Sequence, residues 1–218
     1  MQMKAAIFDM DGTLIDSLMV WDVLWKTFGE RFRDGREFKP EVHLDKAVRT
    51  LPLKEAMELV HTTCRIGGSG EELLRAANEI IEHFYRFDVN MKAGVKEFLE
   101  HCYEKGVKMC IASATDPYLI DIAVKHCGIE KYFSKIFSCA EIGKGKEYPD
   151  VYLMALEHLG TSAEETWIFE DSYVALNTAR KIGMPAVGIY DRYNYGQEIL
   201  RENATVYVGE GENLMKLV

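Results

Sequence analysis

Hydrophobic positions fall into two regimes along the chain. A short apolar run, Lys4 to Phe8, reads as a buried β-strand, because it is too brief and too continuous for an amphipathic helix. After Asp16 the spacing turns helical. Leu18, Trp21, Leu24, Trp25 and Phe28 mark one helix face, with Ser17 as the expected N-cap. A second helix is predicted from Pro52, on Leu53, Ala56, Met57 and Val60. A third follows the turn Gly67-Gly68-Ser69-Gly70, on Leu73, Leu74, Ala77, Ile80, Ile81 and Phe84. No convincing strand lies between Asp16 and about Val89.

Beyond that point strands and helices alternate. Helices are predicted over 95–104, 118–126, 151–159 and 174–182, and strands over 107–112, 135–139, 166–169 and 185–189, with an edge strand over 206–208. Such alternation predicts an α/β domain, a parallel sheet covered by helices on both faces, with ligands beyond the carboxyl ends of its strands. The reading divides the chain into a core of residues 1–15 and 91–218 and an all-helical insert of residues 16–90.

Composition narrows the class. With 48% hydrophobic residues in 218, a sizeable core is available and global disorder is excluded. No apolar stretch reaches membrane-spanning length, and the start Met1-Gln2-Met3-Lys4 lacks the pattern of a signal peptide. A net charge of −9 argues against nucleic acid or an anionic membrane as partner. The odd count of five cysteines, with no Cys-x-x-Cys pair, predicts reduced thiols and a cytoplasmic protein. His101-Cys102 and His126-Cys127 are adjacent pairs whose side chains diverge on a helix, which does not suit zinc. Oligomeric state is not legible.

The chemistry concentrates at strand ends. Asp9 and Asp11 follow the first strand two residues apart, and Gly12 allows a sharp exit. If the strand continued, both carboxylates would project the same way and repel. A hard cation such as Mg²⁺ relieves that repulsion with oxygen ligands and leaves a carboxylate as nucleophile. Ser113-Ala114-Thr115-Asp116 ends the second strand, where a hydroxyl and backbone amides can hold a phosphate oxygen. Lys146 precedes Pro149-Asp150, with Lys144 as a competing lysine, and Glu170-Asp171-Ser172 ends the strand beginning near Thr166.

Taken together, Asp9-Met10-Asp11-Gly12-Thr13, Ser113, Lys146 with Pro149-Asp150, and Glu170-Asp171-Ser172 resemble, in order, the four motifs of the haloacid dehalogenase-like hydrolase superfamily. The resemblance covers nearly the whole chain and is to the branch of beta-phosphoglucomutase and phosphoglycolate phosphatase. It implies a Rossmann-like core with an inserted helical cap, and a Mg²⁺-dependent phosphatase acting on a small phosphorylated metabolite. Asp9 would be the nucleophile and Asp11 the acid and base. Lys146 would neutralise the phosphoryl group, and Ser113 and Ala114 would bind it. Asp9, Asp11 through its carbonyl, Glu170 and Asp171 would hold the metal. Arg49 and Lys54 in the insert are candidate contacts to an anionic substrate.

The chain departs from the family pattern at three places: Ala114 stands where asparagine is frequent, Glu147 where proline is usual, and Ala175 where glycine is usual. Trp21 stands where the phosphosugar mutases carry a histidine in the first cap helix, which favours hydrolysis over the rival mutase reading. Dehalogenases lack the second acid that Asp11 supplies. The rival from another class is a catalytically silent binding protein, and retention of all the motif acids argues against it.

Overall fold

A computed structural model describes residues 3–49 and 51–218, so Met1, Gln2 and Thr50 lie outside the described residues. Contacts divide the chain into two compact units, Met1–Leu18 with Val89–Val218 and Met19–Asp88.

The larger unit is built on β1 (Ala5–Phe8), β2 (Lys108–Ser113), β3 (Ile136–Ser138), β4 (Thr166–Glu170), β5 (Ala186–Ile189) and β6 (Val206–Val208). Among the described residues these form one sheet in the order β3-β2-β1-β4-β5-β6, every pair parallel. The order reverses direction at β1 and β4, which places the topological switch point, where ligands bind in open α/β sheets, between those two strands.

All four residues of β1 are buried, as expected of a central strand covered on both faces. Ala5 and Ile7 share a core with Ala112, Ile168, Tyr152 and Leu176. Phe8 stacks on Phe169 at 4.4 Å between centroids, with Phe98 edge-on to it at 6.4 Å. The neighbour in register with Phe8 is Phe169, so the residues that follow each strand emerge side by side.

The connecting helices are α5 (Val95–Glu104), α6 (Pro117–His126), α7 (Cys139–Ile142), α8 (Asp150–Leu159), α9 (Tyr173–Lys181) and α10 (Gln197–Asn203). Periodicity did not predict α7 and α10, which have four and seven residues and so almost no repeat to read.

The smaller unit is all-helical: α1 (Val20–Phe32), α2 (Val42–Val48), α3 (Leu53–Cys64) and α4 (Gly70–Phe87). Its core gathers Trp25 and Phe28 with Val48, Met57, Leu73 and Ala77. Ser69 caps α4 by accepting the Glu72 N–H at 3.1 Å. The seven-residue α2 is a further element that periodicity does not reveal. Ser17 does not cap α1. The helix starts at Val20 after Met19, and the Ser17 hydroxyl donates to Asp11 Oδ1 at 2.6 Å instead. As an N-cap the hydroxyl would accept a backbone N–H; here it donates to an ionisable carboxyl group, a charge-assisted bond.

The five cysteines are free thiols. Burial pushes Cys102 up to about 11 and Cys110 up to about 12, so both are protonated core residues. No described helix is long and apolar enough to cross a membrane.

Candidate active site

β1 stops at Phe8, and the chain turns at once. The Asp9 N–H still donates to the Phe169 carbonyl at 2.9 Å, which seats Asp9 beside the end of β4. Because the strand does not continue, Asp9 and Asp11 do not share one environment. The Asp9 carboxylate accepts from Lys146 Nζ. The Asp11 carboxylate is gripped by two hydroxyls, Ser17 at 2.6 Å on one oxygen and Thr115 at 2.7 Å on the other. The expected repulsion between the two acids therefore falls elsewhere, between Asp9 and the acids that end β4.

Asp9, Glu170 and Asp171 are all buried, and one oxygen from each lies within 4.8 Å of the others. The Asp11 carboxylate is not part of that group. Lys146 bridges Asp9 and Glu170, with 11% of its side chain exposed. Lys144 instead pairs with Asp150 at 2.6 Å on the surface, which settles which lysine enters the cluster.

The electrostatics follow from three buried carboxyl groups close together, with Lys146 among them and Lys92 acting on Asp171. Burial opposes the charge on Lys146, but Asp9 and Glu170 outweigh that effect and hold its pKa well above the ordinary lysine value. Burial pushes Glu170 up to about 7, with Lys146 pulling down and Asp9 pushing up. Asp171 is raised well above the ordinary carboxyl range by burial first, then by Asp9 and Glu170. The cluster lacks positive charge, and its donors are all oxygen. A hard divalent cation suits that donor set.

Gly12 is required by a close approach. Its φ is +76°, and a Cβ there would lie 2.3 Å from Asp171 Oδ2. The glycine between the first-strand acids and the turn thus makes room for the acid at the end of β4. Thr13 follows, with its hydroxyl 3.5 Å from Asp171 Oδ1.

Ser113, buried at the end of β2, accepts the Thr115 N–H at 3.1 Å, and Ser138 donates to the Thr115 carbonyl at 2.8 Å. This turn presents Ala114 at the surface and sends the Thr115 hydroxyl to Asp11. The Thr115 bond to Asp11 spans 104 positions, and no local pattern marks it. Asn194 is a second residue the sequence reading passed over. It donates to Asp171 Oδ2 at 2.7 Å from the loop after β5, and no motif marks it.

Arg49 and Lys54 belong to the helical unit. Arg49 binds Asp45 through Nε and a terminal nitrogen, both at 3.0 Å, and its guanidinium lies over the Trp21 ring at 5.5 Å. Asp45 is buried and also accepts the Trp25 indole N–H at 2.8 Å. Lys54 is exposed on α3.

Residues 6–189 match the family model described as haloacid dehalogenase-like hydrolase, so the chain belongs to that family and is an enzyme of the hydrolase class. It is 26% identical to a phosphorylated carbohydrates phosphatase of Thermotoga maritima over 99% of this chain and 100% of that one. It is 28% identical to protein CbbY of Rhodobacter capsulatus over 91% and 90% of the two chains. Among solved structures, a candidate beta-phosphoglucomutase from Thermotoga maritima matches with a TM-score of 0.78 at 26% identity, covering 94% of each chain. CbbY from Rhodobacter sphaeroides in complex with phosphate shares the fold, with a TM-score of 0.78 at 18% identity over 94% of this chain and 93% of that one.

Proposed function

We propose that this protein is a Mg²⁺-dependent phosphatase that hydrolyses a small phosphorylated metabolite, in the class of sugar phosphates, through an aspartyl-phosphate on Asp9. The observation that carries the reading is the buried Asp9 carboxylate, held by Lys146 beside two further buried acids where β1 and β4 end together. A structural salt bridge needs one acid for one base, and three acids around one lysine leave charge for a divalent ion. The near-complete overlap with the Thermotoga phosphatase supports the substrate class.

Asp9 attacks phosphorus with one carboxylate oxygen, and the ester bond breaks as the acyl phosphate forms. Asp11 gives a proton to the leaving alkoxide and then takes one from the water that cleaves the acyl phosphate. The hydroxyls of Ser17 and Thr115 orient its carboxyl group, donating to the carboxylate when it is the base, and one of them turning to accept when it carries the proton. Lys146 keeps its charge because Asp9 and Glu170 stabilise it, and it offsets negative charge on the phosphoryl oxygens. Ser113 and the Ala114 backbone amide orient those oxygens, the Thr115 N–H being taken up by Ser113. Asp9, Glu170, Asp171 and the Asp11 carbonyl would hold Mg²⁺, which when bound neutralises the remaining charge on the phosphoryl group.

Hydrolysis is favoured over phosphoryl return to a sugar by Trp21. Its indole cannot accept a proton, and its ring carries the Arg49 guanidinium on one side and leans on Trp25, 5.6 Å between centroids. The test is phosphorus NMR of the protein with Mg²⁺ and a panel of sugar phosphates and phosphoglycolate. Inorganic phosphate should appear, and chelator should stop it. Accumulation of an isomeric phosphosugar without free phosphate, or full activity in metal-free buffer, would overturn the reading.

A further inference from the structure

Asn194 lies in the loop between β5 and α10, outside the four motifs. Its amide nitrogen donates twice to Asp171, to Oδ2 at 2.7 Å and to the backbone carbonyl at 3.0 Å. Its amide oxygen accepts the Tyr195 N–H at 2.8 Å. The three contacts together fix the amide's orientation, since exchanging oxygen and nitrogen would set an acceptor against a carboxylate.

The loop is fastened at both ends. At its start, buried Asp191 accepts the Tyr193 N–H at 2.8 Å and pairs with Lys92 at 2.8 Å. Lys92 also donates to the Tyr190 carbonyl at 2.8 Å, and the Asn194 N–H donates to the Asp191 carbonyl at 3.1 Å. At its end, Gly196 has φ +76°, and a Cβ there would lie 2.5 Å from the Tyr173 ring. Tyr173 follows Asp171 by two residues, so the loop closes against the turn that carries Asp171.

We propose that Asn194 is a positioning residue for Asp171, setting this protein's affinity for its divalent cation, and that the Asp191–Lys92 pair holds the loop that delivers it. The proposal rests on the metal role given to Asp171 above. A ligating carboxylate that is already oriented loses less rotational freedom when the ion binds. A neutral amide orients it without the cost of a cationic donor, which would repel the metal. Partners of this kind typically contribute 10–100-fold to metal affinity.

The test uses Mn²⁺ as the probe, because it suits oxygen donors and free Mn²⁺ is counted directly by electron paramagnetic resonance. The full-length parent should bind it, and Asp171→Asn should lose most of that binding. Asn194→Ala should bind it roughly 10–100-fold more weakly, with unchanged circular dichroism. Asn194→Leu keeps the side-chain shape without the donor, carries the measurement if the alanine variant is unstable, and should show the same loss. Asp191→Asn should show a smaller loss in the same direction. In turnover assays the Mg²⁺ activation constant should rise in Asn194→Ala, while the substrate KM at saturating Mg²⁺ stays put. If the parent and Asp171→Asn behave as stated but both Asn194 variants bind Mn²⁺ within twofold of the parent, the positioning role is wrong and the metal reading stands. A parent that binds no Mn²⁺ would overturn both.

Discussion

Replacing Glu170 with glutamine should make the metal-free protein more stable. The Glu170 carboxyl is buried, and its pKa rises from the ordinary 4.5 to about 7. A carboxyl whose pKa is higher folded than unfolded holds its proton more tightly in the folded state. Its effect on stability is nil well below 4.5, turns unfavourable as pH rises through the unfolded value, and reaches its limit above 7. The gap of about 2.5 units, at 1.36 kcal/mol each, corresponds to a cost of roughly 3 kcal/mol once Glu170 is fully ionised. Glutamine mimics the protonated acid in shape and cannot ionise, so Glu170→Gln removes that cost. In urea titrations with chelator present, the variant should match the parent near pH 4. It should exceed the parent by up to roughly 3 kcal/mol at pH 8, the difference growing between about pH 4.5 and 7. Saturating Mg²⁺ should shrink or reverse the gain, because the ion stabilises the parent's full set of acids. A variant equal to the parent, or weaker, at pH 8 without metal would show that Lys146 already compensates Glu170, and the charge deficit at the site would be refuted.

Asp9→Asn should lower the rate of phosphate release by about 10³-fold or more while circular dichroism stays unchanged, since the amide keeps the shape and loses the nucleophile. Near-parent turnover would remove Asp9 from the mechanism. Gly12→Ala should act on metal binding as well as stability. The left-handed backbone costs an alanine about 1–2 kcal/mol, seen as a Tm lower by several degrees. Its Cβ, built 2.3 Å from Asp171 Oδ2, must also displace that carboxylate. Unchanged Mg²⁺ dependence in this variant would mean that Asp171 can move without consequence.

Much of this protein is written in local sequence. Short apolar runs and period-3.6 patterns carry burial information within a few residues, so α5, β6 and the long helices of the insert were legible at nearly their observed bounds. The acids after β1 and β4 were legible for the same reason, as polar residues ending apolar runs. Short elements such as α2, α7 and α10 were not, because one or two turns carry too few repeats.

Tertiary structure alone decided the partnerships. Lys144 and Lys146 stand two residues apart; the spacing to Pro149-Asp150 favours Lys146, and the fold sends Lys144 to Asp150 at the surface and Lys146 into the buried cluster. Ser17 reads as a cap and is drawn to Asp11. Thr115 and Asn194 reach acids 104 and 23 positions away. Such bonds exist because a parallel sheet brings the ends of distant strands to one edge, and strand order is set by packing across the whole chain. The sequence alone determined which residues could do chemistry at this site. The fold determined which of them face one another, because that depends on contacts no local pattern contains.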